Sequence, residues 1–271
     1  MHKLEERETL QSMLRRGGLV GCWSSFASFA CVELMAQLGF DFVVLDMQHC
    51  EITANQFPAL LGAFGRTDCR AVVRVAENNY HLINWLCDMG VDGVLVPMVN
   101  SADDARRAVA AAKYPPLGRR SFGPFRAARY GSGLADYMAS PDSHTALIVQ
   151  IEDARAAANA GELLSVPGID AAFVGPNDIA FSMLKPGEQI KADAKQWTTF
   201  ARTPEVLELC ASVMQAARKA GIPFGTTTGS WQDAQDWLKR GANFATFGSD
   251  FLFLKTGADH LRRGVTPDGK S

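Results

Sequence analysis

Eight short apolar runs alternate with stretches of helical periodicity along this chain, and that alternation leaves few architectures open to it. The runs are Leu19–Trp23, Phe40–Leu45, Ala71–Val75, Gly93–Pro97, Leu147–Ile151, Ala171–Val174, Pro223–Thr226 and Phe244–Phe247. Near-continuous apolar runs are the pattern of parallel strands covered on both faces. Between them lie segments such as CVELMAQLG, YHLINWLCDMG and PEVLELCASVMQAARKAG, several closing on a glycine (Gly39, Gly90, Gly221, Gly241) that suits the left-handed position after a helix. Strand and helix alternate throughout, so the class is parallel α/β, and eight strands are the count of a closed (β/α)8 barrel. At 271 residues the chain suits one such domain, spanning 1–271.

Composition narrows the function. Hydrophobic residues make up 47% and charged residues 21%, with a formal charge of -2, which points away from nucleic acid or an acidic membrane surface. Six cysteines form no CxxC pair and sit mostly in apolar stretches, so they read as reduced. The opening MHKLEERETLQSMLRRGG mixes acids and bases at helical spacing, unlike a secretory signal or transit peptide, and no run is long and apolar enough to span a membrane. The expected location is cytoplasmic and the expected ligands are small molecules.

Chemistry concentrates in the stretch Thr145–Ser182, which reads as one βαβ unit with Glu152 at the end of its first strand and Asp178 just past its second. Two acids above neighbouring parallel strands can converge, and an acid buried there needs a cation or a partner. Oxygen ligands without cysteine suit Mg²⁺ or Mn²⁺. The alternative is that Glu152 caps the following helix and Asp178 makes a turn. Other polar residues after strands are Ser24, Ser25, Asp46, His49, Arg74, Gln150, Asn177, Thr227, Thr228 and Asp250. His49 is suited to a general base and Arg74 to a developing oxyanion, with a hydrogen-bonded structural histidine and an ion pair to Asp46 or Glu152 as the competing readings. Asp88, in INWLCDMG, reads either as partly buried and in need of a partner or, the reading its sequence favours, as a helix-end acid facing water. Trp85, Trp231 and Trp237 read as packing. Two long irregular segments, Pro115–Pro141 and Phe181–Thr203, are placed where they could cover a site.

In order, VVLDMQH, AVVRV, CDMG, VPMVNSADDARRAV, YPPLGRRSFGP, VQIED and VGPNDIAFSM resemble the HpcH/HpaI aldolase family of metal-dependent class II pyruvate aldolases, from about Leu19 to Gly264. The resemblance implies a modified barrel assembled as a homo-hexamer, with a helix exchanged between subunits. It implies Glu152 and Asp178 as ligands of Mg²⁺, Mn²⁺ or Co²⁺, with Gln150 and the Asn177–Asp178 backbone on the pyruvate end of the substrate. It also implies His49 as base, Asp88 raising its basicity, and Arg74 steadying the enolate. Gln48, Cys50 and Ala180 depart from the family's usual residues, as does the segment Lys185–Phe200. The implied reaction is reversible cleavage of a 4-hydroxy-2-oxo acid to pyruvate and an aldehyde. The competing readings are an oxaloacetate decarboxylase or citrate-lyase-like enzyme, and a catalytically silent barrel that binds oxo acids.

Overall fold

In a computed structural model that describes residues 7–188 and 203–265, eight parallel strands close into a barrel in chain order, the last pairing with the first. They are β1 (Leu19–Ser24), β2 (Phe42–Asp46), β3 (Arg70–Arg74), β4 (Gly93–Val96), β5 (Ala146–Ile151), β6 (Ala171–Val174), β7 (Phe224–Thr228) and β8 (Phe244–Ser249). Each falls within two residues of its apolar run at either end. The helices are α1 (Leu10–Arg16), α2 (Phe29–Gln37), α3 (Phe57–Gly62), α4 (Tyr80–Met89), α5 (Ala102–Ala112), α6 (Leu134–Ala139), α7 (Ala154–Ala158), α8 (Ala160–Leu164), α9 (Pro176–Ser182), α10 (Pro204–Ala220), α11 (Trp231–Lys239) and α12 (Asp250–Val265). Side-chain caps at Ser28, Asn79, Ser101, Thr203 and Ser230 start five of them, satisfying amides that have no intrahelical acceptor.

Alternation along the strands separates two cores. Outward residues such as Val43, Val73, Val94, Leu147 and Val149 pack under the helices. Inward residues, including Phe42, Val72, Leu95, Ile148, Phe173 and Phe244, fill the lower barrel, and α1 lays Leu10, Met13 and Leu14 against them as a floor. The rings interlock, with Phe173 and Phe244 stacked at 5.8 Å and Phe42 edge-on to Phe244 at 6.0 Å. Room for them comes from glycine: a Cβ on Gly21 would lie 2.3 Å from Phe42, and one on Gly225 2.4 Å from Phe244. Burying each such side chain is worth about 2–3 kcal/mol. The plug fills the lower barrel, so the inward polar side chains at the strands' C-terminal ends open onto the mouth.

One expectation about the loops changes. The segment Pro115–Pro141 joins α5 to β5, which puts it on the N-terminal face, away from the strand ends where Glu152 and Asp178 sit. Direction decides this, because a helix returning from the mouth delivers the chain to the opposite end before the next strand. The segment is also folded, with α6 and two short 3₁₀ turns, and Arg120 at its centre donates to the Tyr137 hydroxyl at 2.9 Å and lies over the Tyr114 ring. The second segment, Phe181–Thr203, begins at the mouth, and most of it, with most of Lys185–Phe200, lies outside the described residues. No helix among the described residues is long and apolar enough to cross a membrane. All six cysteines are free.

Candidate active site

The end of β5 distributes its residues by parity. Gln150 and Glu152 face the barrel axis and are buried, while Asp153 caps α7 by accepting from the Arg155 and Ala156 amides. The helix cap is therefore Asp153, and Glu152 is released for the mouth. Glu152 Oε1 accepts from the Met98 amide at 2.7 Å, and Oε2 accepts from Gln150 Nε2 at 2.6 Å. Met98 holds a left-handed φ of 53°, uncommon without glycine, and this bend after β4 presents its N–H to the carboxylate. Across the gap, Asp178 stands in the first turn of α9, exposed at the mouth.

Gly175, between β6 and α9, shows how closely these groups meet. A Cβ built there would lie 3.1 Å from Asp178 Oδ2 and 3.2 Å from both Gln150 Nε2 and Glu152 Oε2. All three atoms surround one small volume. Burial, then the negative charge of Asp178, pushes the Glu152 carboxyl up to about 7, against the pull of the Met98 amide, Arg74 and Gln150. Gln150 Oε1 is buried and has no donor. Asn177 and Asp178 are the second and third residues of α9, so their amides have no intrahelical acceptor.

Opposite this pair, Arg74 ends β3 beside Asp46 at the end of β2, the two being register partners. Nε and Nη2 of Arg74 donate to the two Asp46 oxygens at 2.8 and 2.6 Å, a two-pronged pair. Although burial pushes the other way, the guanidinium holds the Asp46 carboxyl below its ordinary value. Trp23 of β1 lies beneath, its ring centroid 4.4 Å from the guanidinium carbon and its indole N–H donating to Thr246. Arg74 is thus fixed in plane and in height, and Nη1 has no acceptor among the described residues. Asp46 also accepts from the Gln48 amide and the Cys50 thiol, folding the following turn around itself. His49 rides on that turn, exposed and without a hydrogen bond among the described residues.

Asp88 is not in this group. It lies at the end of α4, four residues before Asp92, whose carboxylate accepts from the Ala71 amide at the start of β3, so it belongs to the N-terminal end of the barrel. Its partners are Arg120 at 2.6 Å and Asn84 at 2.9 Å. Within one chain Asp88 does not reach His49, and the expectation that it raises the histidine's basicity finds no contact to act through. Sequence reading missed Trp23 and the Met98 amide. The inward parity that Trp23 shares with Gly21 was the available signal for the first, while nothing short of the backbone bend reveals the second.

Chemically the mouth joins an acid pair to a fixed guanidinium and an exposed imidazole. Two carboxylates, one pushed up by burial and by its neighbour's negative charge, are stabilised by a cation between them. Among the described residues no cluster of three or more His, Cys, Asp or Glu side chains is arranged for a metal. A cation here relies on Glu152 and Asp178 plus oxygen atoms from substrate and water, the sparse protein coordination that magnesium-like ions accept. The orphaned Gln150 Oε1 and the open volume over Gly175 fit that requirement.

Fold and mouth together define a (β/α)8 barrel with its reactive groups gathered at the C-terminal ends of the strands, where such barrels carry their chemistry. The HpcH/HpaI aldolase/citrate lyase family model matches residues 19–255, and the chain belongs to that family. It is 32% identical over 248 residues to the 2-dehydro-3,6-dideoxy-6-sulfogluconate aldolase of Pseudomonas putida, covering 91% of this chain and 92% of that protein. It is 33% identical over 261 residues to the 2-keto-3-deoxy-L-rhamnonate aldolase of Escherichia coli O17:K52:H18, covering 95% and 92%. Its backbone also matches the crystal structure of an HpcH/HpaI aldolase/citrate lyase family protein from Burkholderia cenocepacia J2315, with a TM-score of 0.84 at 28% identity over 94% of this chain and 98% of that one.

Proposed function

We propose that this chain is a class II aldolase, a carbon–carbon lyase that reversibly cleaves a 4-hydroxy-2-oxo acid to pyruvate and an aldehyde. The observation that carries this reading is the convergence of Glu152, Asp178 and Gln150 over Gly175, facing a guanidinium locked by Asp46 and Trp23. The two relatives named above act, by name, on 2-oxo-3-deoxy sugar acids. Breaking the C3–C4 bond of such an acid leaves pyruvate and an aldehyde.

Glu152 and Asp178 are the residues that would hold a divalent cation of the Mg²⁺, Mn²⁺ or Co²⁺ class, which when bound supplies Lewis-acid polarisation of the 2-oxo group. The free amides of Asn177 and Asp178 and the Gln150 side chain hold the substrate's pyruvyl end. Arg74 opposes the charge that grows on the C2 oxygen as the C3–C4 electron pair passes into the enolate. His49 takes the proton of the C4 hydroxyl, so that the C4–O bond becomes the aldehyde carbonyl, and protonation at C3 completes pyruvate. Because Arg74 is held by two hydrogen bonds before substrate arrives, its alignment costs little during the reaction.

The exposed apolar side chains Phe251, Leu254 and Leu261 along α12 support a homo-oligomer, the hexamer of the family resemblance. The test is a lactate-dehydrogenase-coupled pyruvate assay over a panel of 4-hydroxy-2-oxo acids, with magnesium or manganese and with chelator. Pyruvate release that needs both the metal and a hydroxylated C4 is expected. Turnover unaffected by chelator, or pyruvate formed from oxaloacetate alone and from no hydroxy acid, would reject the assignment.

A further inference from the structure

At the opposite end of the barrel from the acid pair, a cavity of about 1300 Å³ opens between α1 and the turns that lead into β2 and β3. Arg7, Arg16, Arg66, Arg70 and Arg129 line it, against the three acids Glu8, Asp41 and Asp68. Two of those acids are already engaged: Asp41 accepts from the Val20 amide at 2.7 Å, and Glu8 accepts from Ser12 and Arg16. Positive charge is left in excess around a concave surface.

Arg70 is the unusual member. It opens β3 on the barrel's inward side and is only 3% exposed. Nη2 donates to the Glu8 carbonyl at 2.6 Å, while Nε and Nη1 are buried with no acceptor. No carboxylate among the described residues pairs with it. A buried guanidinium that has lost its water and gained no countercharge is a costly arrangement unless a ligand completes it. At the rim, Arg129 and Tyr130 take left-handed backbone angles of 52° and 56°, and this turn of the Gly-, Pro- and Arg-rich segment brings Arg129 to the cavity.

We propose that this cavity is a binding site for a small polyvalent oxyanion, phosphate or carboxylate in class, separate from the catalytic mouth. The guanidinium fork matches the oxygens of either group, and several arginines around one volume favour a di- or trianion over a single charge. The segment that sequence reading placed over the catalytic mouth instead contributes a wall of this second site.

Isothermal titration of the full-length protein with inorganic phosphate, and in parallel with citrate, tests it, with EDTA present so that no metal recruits either anion to Glu152 and Asp178. Saturable one-to-one binding of either anion that weakens with added sodium chloride is expected. Arg66 and Arg129 are exposed, so the double variant R66A/R129A keeps the fold, and its affinity should fall at least about tenfold while phosphate-free pyruvate release is unchanged. R70K, which keeps the charge but loses the fork, should weaken binding too. Equal affinity in R66A/R129A, or no saturable binding up to about 10 mM, would overturn the proposal. So would a variant whose assembly falls apart in sedimentation without any change in anion binding, since the arginines would then serve a contact between chains.

Discussion

Replacing Glu152 with glutamine tests the acid pair in a way that activity alone cannot. The carboxyl titrates at 4.5 in an open chain and is pushed up to about 7 in the fold, by burial first and by Asp178 second. The folded protein therefore holds this proton more tightly than the unfolded one. The group's contribution to stability is complete below pH 4.5 and drains away as pH rises through the interval to 7. Above that interval the penalty is about 3 kcal/mol, since each pH unit of difference is worth about 1.4 kcal/mol. Glutamine at 152 is neutral at every pH. It keeps the bond from the Met98 amide, and Gln150 can turn its amide so that its orphaned Oε1 accepts from the new side chain. In urea denaturation with EDTA, E152Q should gain less than about 1 kcal/mol over wild type at pH 5 and about 3 kcal/mol at pH 8. Added magnesium should close most of that gap at pH 8, stabilising wild type by about 2.7 kcal/mol at a hundredfold excess over its dissociation constant and leaving E152Q unmoved. An advantage for E152Q that is the same at both pH values, or equal stabilisation of both proteins by magnesium, would refute the reasoning.

Three other perturbations separate the parts of the site. G175A places a methyl 3.1–3.2 Å from Asp178, Gln150 and Glu152, so it should weaken magnesium or manganese binding by about 10- to 100-fold in a titration while the urea midpoint hardly moves. H49A should slow pyruvate release by about 10²- to 10⁴-fold with unchanged metal affinity, because His49 is exposed and carries none of the fold's hydrogen bonds among the described residues. D88N should act on stability, costing about 3 kcal/mol in chemical denaturation, since it strips the countercharge from Arg120, whose side chain is 1% exposed.

The strands were legible because a parallel barrel buries both faces of every strand, so the apolar runs had little freedom to mean anything else. Some ends shifted by a residue or two: Asp46 and Thr228 belong to their strands although they lie past the apolar run. Positions at the mouth were legible for the same reason, as residues that follow a strand. What the sequence did not carry was lateral contact. Trp23 and Arg74 are 51 positions apart in number yet stacked in space, a relation set by how β1 through β3 curve around the axis. Pro115–Pro141 was misplaced for a different cause. It follows a helix that runs back from the mouth, and counting direction as well as spacing would have put it on the N-terminal face. Asp88 entered only through the family resemblance, and its place in the last turn of α4 puts it on that same face.

That same directional logic explains why four adjacent residues at the end of β5 take four different jobs. Ile151 faces outward into the helix-side core, which fixes Gln150 and Glu152 as inward neighbours two residues apart. Asp153 then falls beyond the strand at the start of α7, where an acid is worth most as a cap. A slip of one residue in the β5 pairing would turn Ile151 into the mouth and bury both polar side chains among Val94, Leu147 and their neighbours, an outcome with no hydrogen bonds to offset it. The apolar packing behind β5 therefore sets the register, and the register places Glu152 opposite Asp178. The acid pair is unfavourable in isolation, yet it persists because separating the two oxygens would require undoing that packing along the whole strand.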